Sequence, residues 1–220
     1  MGAYRAVLFD WSLTIAHYPE HEWWYVTALE RLGRTVDADF VARSMASVAE
    51  ALKGPSFLEG QSRMDTSAEI HRATLMAVYE QARLDDEFAE ALYSLESDGA
   101  CRPVYADVPD ALTSLRSFGV RVALVSNIHF DLRPVLADQG IGGFFDAYAL
   151  SFELGVQKPD PAIFEEALRA LDVRADEALM VGDTPEADGA AALLGITTLI
   201  LPRAASVERR VLQQVVQLVG

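Results

Sequence analysis

The chain has 220 residues, of which 51% are hydrophobic and 23% charged, with a net charge of −15. That composition predicts a folded globular protein with room for a second small domain. The acidic balance argues against nucleic acid or an anionic membrane surface as a partner, and the single cysteine, Cys101, allows no internal disulfide.

Along the chain, Tyr4 to Phe9 reads as a first apolar strand and is followed by Asp10. From about residue 17 to 100 the character changes. Apolar residues recur there at helical spacing, as in Ile70, Leu75, Val78 and Ala82, then Phe88, Ala91, Leu92 and Leu95, and no convincing strand appears. Strands then alternate with helices. A helix over about Val108–Phe118 stops at Gly119, Val120–Val125 forms a buried strand, and a helix over about Phe130–Gln139 ends at Gly140. Asp146–Leu150 is a short strand. Asp160-Pro161 opens a helix that runs to about Leu171, with an N-cap followed by proline at the first position. Ala178–Val181 (strand), Pro185–Leu194 (helix) and Thr197–Leu201 (strand) complete the order. The alternation predicts an α/β fold, a Rossmann-like parallel sheet covered on both faces, with a helical cap domain inserted after the first strand. The expected boundaries are 1–16 and 101–220 for the core and 17–100 for the cap. No apolar stretch approaches a membrane span, and the N-terminus lacks the basic-then-apolar layout of a signal peptide, so the expected location is cytoplasmic.

Polar residues end the predicted strands: Asp10, Ser126 with Asn127, and Asp183. Lys158 precedes the Asp160-Pro161 helix, and it is one of only two lysines beside 16 arginines. Ligands of open parallel sheets bind outside the carboxyl ends of the strands, so these residues are expected in one crevice. Asp183 and Asp188, at a strand-to-helix junction, suit a hard cation such as Mg²⁺. A carboxylate nucleophile, a hydroxyl, an ammonium and a divalent ion together suit phosphoryl transfer.

Four segments, Phe9-Asp10-Trp11-Ser12-Leu13-Thr14, Val125-Ser126-Asn127, Gln157-Lys158-Pro159-Asp160-Pro161 and Gly182-Asp183 through Asp188, together resemble the haloacid dehalogenase (HAD) superfamily, dominated by Mg²⁺-dependent phosphatases. The resemblance implies that Asp10 is nucleophile and metal ligand. It also implies that the backbone carbonyl of Ser12 and the side chains of Asp183 and Asp188 complete the metal site. Ser126, Asn127 and Lys158 would hold the phosphoryl group, Lys158 would pair with Asp10, and Thr14 would support the first loop. The implied partner is a small phosphorylated metabolite; oligomeric state stays open.

One position departs from the pattern. Phosphatases of this superfamily carry a second aspartate two residues after the nucleophile as general acid and base, and here that position is Ser12. Either another group carries the proton, with His17, Glu20, His21 and Glu22 clustered just downstream, or the chemistry differs. A phosphonoacetaldehyde-hydrolase-like reaction would use Lys53, the only cap lysine, as a Schiff base. A phosphate-binding regulatory protein would show little turnover. Haloacid dehalogenases also lack that aspartate but use no metal, and Asp183 and Asp188 point away from them. Trp23, Trp24 and Tyr25 could line a substrate pocket, and Arg63 and Arg72 could meet a second anionic group.

Overall fold

A computed structural model describes residues 4–202, 207–208 and 212–220. Among these described residues, five strands form one sheet: β1 (Ala6–Phe9), β2 (Arg121–Ser126), β3 (Ala147–Leu150), β4 (Ala178–Gly182) and β5 (Thr197–Ile200). Their order is β3-β2-β1-β4-β5 and every pairing is parallel. The chain therefore crosses over between strands through helices α6 (Val108–Ser117), α7 (Arg133–Asp138), α8 (Ser151–Leu154) and α9 (Pro161–Leu171), and it ends in α10 (Gln213–Val219). The α/β reading of the sequence is what the chain adopts.

The period of two along each strand divides the core. Val7, Phe9, Val122, Leu124, Leu179 and Val181 face one layer with α6 and α10. Ala6, Leu8, Ala123, Val125, Ala178 and Met180 face the other, where Ile163, Phe164 and Ala167 of α9 pack. Both faces are buried, which is why these strands read as continuous apolar runs. Central β1, with 0% exposure at all four residues, places Asp10 at the middle of the carboxyl-end rim.

Between β1 and α6 lie five further α-helices: α1 (His21–Arg31), α2 (Ala38–Ala51), α3 (Pro55–Gly60), α4 (Ala68–Gln81) and α5 (Asp86–Glu96). They close around their own apolar core, which includes Trp24, Leu29, Val41, Val78, Phe88 and Leu92. Arg102, on the return segment, is 2% exposed; it donates to the Glu96 carboxylate at 2.8 Å and lies against the Tyr18 and Trp24 rings.

The Asp160-Pro161 helix starts as expected, with the Asp160 carboxylate accepting from the Ala162 N–H. Two other predicted helices differ in detail. The helix expected from Phe130 begins only at Arg133, just before Pro134 at its first turn. Pro185–Leu194 is not α-helical; a 3-10 helix spans Asp188–Leu194. Its cause is the Asp188 carboxylate, which turns back to the Asp183 and Thr184 N–H groups and fixes a tight loop where a first α-helical turn would start. The C-terminal α10 carried no clear sequence signal. No helix among the described residues is long and apolar enough to cross a membrane.

Candidate active site

Asp10, Asp183 and Asp188 converge at the ends of β1 and β4, with one carboxylate oxygen from each lying within 4.8 Å of the others. All three are buried. The Lys158 ammonium joins them, donating to Asp10 Oδ1 at 2.6 Å, to Asp188 Oδ1 at 2.6 Å and to the Val125 carbonyl at 3.0 Å. Three carboxylates against one ammonium leave an excess of negative charge in a desolvated site. Burial lifts the Asp10 carboxyl to about 7, Lys158 opposing and the charges of Asp188 and Asp183 adding to the rise. Burial also works against the Lys158 ammonium, but Asp10 and Asp188 more than offset it and hold its pKa above the ordinary lysine value. A hard divalent cation fits this oxygen-rich set on chemistry and charge.

Local sequence explains how each group is held. The loop after β1 turns sharply: the Trp11 carbonyl accepts from the N–H groups of Thr14, Ile15 and Ala16, and Leu13 sits at φ 60°, a conformation unfavourable for a branched residue. Thr14 Oγ1 thereby reaches Asp10 Oδ2 at 3.4 Å. Gly182 is required where it stands, because a Cβ there would collide with the Asp188 carboxyl. Asp188 Oδ2 caps the Asp183 and Thr184 N–H groups at 3.0 and 2.9 Å, while its Oδ1 takes the lysine.

Ser126 lies buried at the end of β2, beside this cluster. Asn127 uses its amide to clasp the Lys158 backbone, donating from Nδ2 to the carbonyl at 3.0 Å and accepting the N–H at 2.7 Å. It thus fixes the lysine. The Lys158–Pro159 peptide is cis. All three Lys158 protons are in use, so the ammonium meets a further oxygen only by releasing one of these bonds. Ser12 is half-buried on the same loop, forming a bridge to Ala16. Asp10, Ser12, Thr14, Ser126, Asn127, Lys158, Asp183 and Asp188 are thus gathered at or beside one rim.

Other expectations fare differently. Lys53 is exposed and paired with Glu50 at 2.9 Å, so it is not the desolvated amine that a Schiff base requires. Glu20, His21 and Glu22 are exposed at the start of α1, and His17 packs edge-on against Tyr105. Arg72 pairs with Glu90 at the surface. Trp24 and Tyr25 line a cavity of about 180 Å³ within the helical bundle, together with Tyr18, His71 and Tyr79, whereas Trp23 is exposed.

The sequence reading missed a second cluster. Asp65, His71 and His129 each offer an atom within 4.8 Å of the others. The two imidazoles stack with centroids 3.4 Å apart and planes 8° from parallel, and Ser97 Oγ lies 2.9 Å from His129 Nε2. Parallel rings keep their lone pairs in separate planes, which suits a shared metal poorly. His129 stands three residues past Ser126, a proximity visible in the sequence; its pairing with His71 across 58 residues was not.

A model of the haloacid dehalogenase-like hydrolases matches residues 4–194. The chain belongs to this family. A phosphoserine phosphatase from Thermus thermophilus is 39% identical over 87 residues, covering 39% of this chain and 35% of its own. A glyceraldehyde 3-phosphate phosphatase from Methanopyrus kandleri is 40% identical over 85 residues, covering 38% and 36%. The chain thus spans little more than a third of the length of these curated relatives. In three dimensions the HAD-like chain superposes on a putative HAD-hydrolase from Bacillus subtilis, solved bound to magnesium, with a TM-score of 0.71, 21% identity and 97% coverage of both chains.

Proposed function

We propose that this HAD-like hydrolase is a Mg²⁺-dependent phosphohydrolase that cleaves a small organic phosphate ester through Asp10. The observation that carries the reading is the meeting of Asp10, Asp183 and Asp188 with Lys158 in one buried cluster at the carboxyl ends of β1 and β4. The relatives named as phosphatases support the substrate class.

Asp10, Asp183 and the Ser12 backbone carbonyl would hold the ion, with Asp188 at its edge. When bound, Mg²⁺ supplies positive charge against the phosphoryl oxygens. The chain's own residues do the rest. An Asp10 carboxylate oxygen attacks phosphorus, the bond to the leaving oxygen breaks, and an aspartyl phosphate forms. Lys158, held by Asn127 and Asp188, trades one of its bonds for a phosphoryl oxygen, and the Ser126 hydroxyl donates to another. Water then attacks phosphorus, releasing inorganic phosphate and regenerating Asp10. Residues 17–100 serve as a cap over this rim, on a core of 1–16 and 101–220, closing the site to solvent during the reaction.

The test is release of p-nitrophenol from its phosphate with and without Mg²⁺. The wild-type chain is expected to turn over only with the ion, and Asp10→Asn to lose at least about three orders of magnitude in rate. An Asp10→Asn protein with undiminished turnover would end the covalent route. Binding of phosphate without turnover would instead mark a regulatory protein.

A further inference from the structure

Ser12 leaves the proposed reaction without the carboxyl that protonates the leaving group. We propose that Asp65, a residue of the helical bundle, supplies that proton and later takes one from the attacking water. The inference rests on the phosphohydrolase reading above.

The geometry is specific. Asp65 lies in a short 3-10 segment, Met64–Thr66, whose backbone is pinned to the core at two points. Gln157, the residue before Lys158, accepts the Asp65 N–H at 3.1 Å. Ser151, directly after β3, donates to the Asp65 carbonyl at 2.7 Å and accepts the Ile128 N–H at 2.8 Å, two residues past Ser126. Asp65 is therefore fixed between the loop that follows Ser126 and the loop that carries Lys158. A carboxylate oxygen lies within 4.8 Å of a His129 ring nitrogen in the first loop, and the carboxyl feels the charge of Lys158 in the second. The side chain keeps 22% exposure, so solvent reaches it.

The surroundings favour a carboxylic acid. Burial chiefly, with Glu96 adding and Arg102 and Lys158 opposing, lifts Asp65 to about 6. Its nearest base, His71 Nε2, is 3.8 Å from Asp65 Oδ1, too far for a hydrogen bond. His71 and His129 are themselves held neutral, at about 4 and about 3, so neither competes for the proton. The groups facing Asp65 are thus His71, His129, Glu96, Arg102 and Lys158.

In the first step, the Asp10–phosphorus bond forms as the phosphorus–alkoxide bond breaks. The Asp65 proton passes to the alkoxide oxygen, giving a neutral alcohol and the Asp65 carboxylate. In the second, that carboxylate takes a proton from water as its oxygen attacks phosphorus. Inorganic phosphate leaves, Asp10 is free and Asp65 is an acid again.

The experiment compares p-nitrophenyl phosphate, whose leaving group needs no proton, with a simple alkyl phosphate, in the whole 220-residue chain supplemented with Mg²⁺. Asp65→Asn is expected to lower kcat/KM for the alkyl ester about 10²- to 10⁴-fold and for the aryl ester less than about threefold. In the wild type, the alkyl-to-aryl ratio should fall as pH rises above about 6, where the acid form of Asp65 is lost. In Asp65→Asn that dependence should vanish. Equal losses on both esters, or an unchanged alkyl rate, would overturn the proposal. Activity on both esters that survives Asp10→Asn would overturn the covalent reading instead, and the role of Asp65 with it.

Discussion

Gly182 shows how little freedom the site allows a single residue. The Asp188 carboxyl occupies the volume a side chain would need at position 182, and that same carboxylate holds Lys158 and two backbone N–H groups. Gly182→Ala is therefore expected to displace Asp188, destabilise the protein by about 2–3 kcal/mol and reduce turnover at least about tenfold. Gly189→Ala is the control, since nothing lies within 4 Å of a Cβ there, and it should leave both within error. Chemical denaturation and p-nitrophenyl phosphate assays on the two variants check this. The site acids at strand ends were legible because an apolar run that stops at an acid or hydroxyl marks where a buried strand reaches the rim of its sheet. The inner geometry was not legible: that Asn127 serves the Lys158 backbone, or that Asp188 divides its two oxygens between lysine and backbone, depends on side-chain directions that spacing does not encode.

Between elements, the contact of greatest consequence is the stack of His71, from α4, on His129, from the loop after β2. Burial, with the Arg102 charge, holds His71 at about 4, and burial with His71 and Arg102 holds His129 at about 3. An unfolded histidine titrates near 6.5. Between those values the unfolded chain binds a proton that the native one refuses, so the stabilising contribution is complete above about 6.5 and fades as pH falls toward 4. For His71 this is on the order of 3 kcal/mol. Asp65 acts oppositely: its raised pKa favours the native state below about 6, offsetting one of the two imidazoles. His71→Phe keeps an aromatic face and removes one titration. Its Tm should decline less than the wild type's between pH 6.5 and 4.5, and identical slopes would show that the ring does not carry the effect. This cluster escaped sequence reading because its members come from the bundle and the core. The 3-10 geometry of Asp188–Leu194 escaped for a related reason, since a side chain capturing backbone N–H groups overrode a good helical pattern.

For the molecule as a whole, the charge of −15 coexists with a buried acidic cluster that gains most from a cation. Mg²⁺ is expected to bind the native chain alone and raise its Tm by about 5–10 °C at a hundredfold excess over Kd. Asp183→Asn should abolish most of that rise, and thermal melts across a Mg²⁺ titration measure it. A full shift in the variant would place the ion elsewhere. The large-scale order, parallel strands with a helical excursion after the first, was legible because short continuous apolar runs give way near residue 17 to apolar residues at helical spacing and return past residue 100.

The amide of Gln157 reaches into the bundle twice, receiving the Asp65 N–H and donating to the Gln61 carbonyl at 3.0 Å. Its neighbour along the backbone is the lysine that sits among the three acids. Lifting the bundle away would exchange both partners of that amide for water and remove the tie between the bundle and the stretch that carries the ammonium. On the proposal that the bundle moves to admit a ligand, the same motion would break both of these bonds, and entry of a ligand would be coupled to the placing of the cation through a single uncharged side chain.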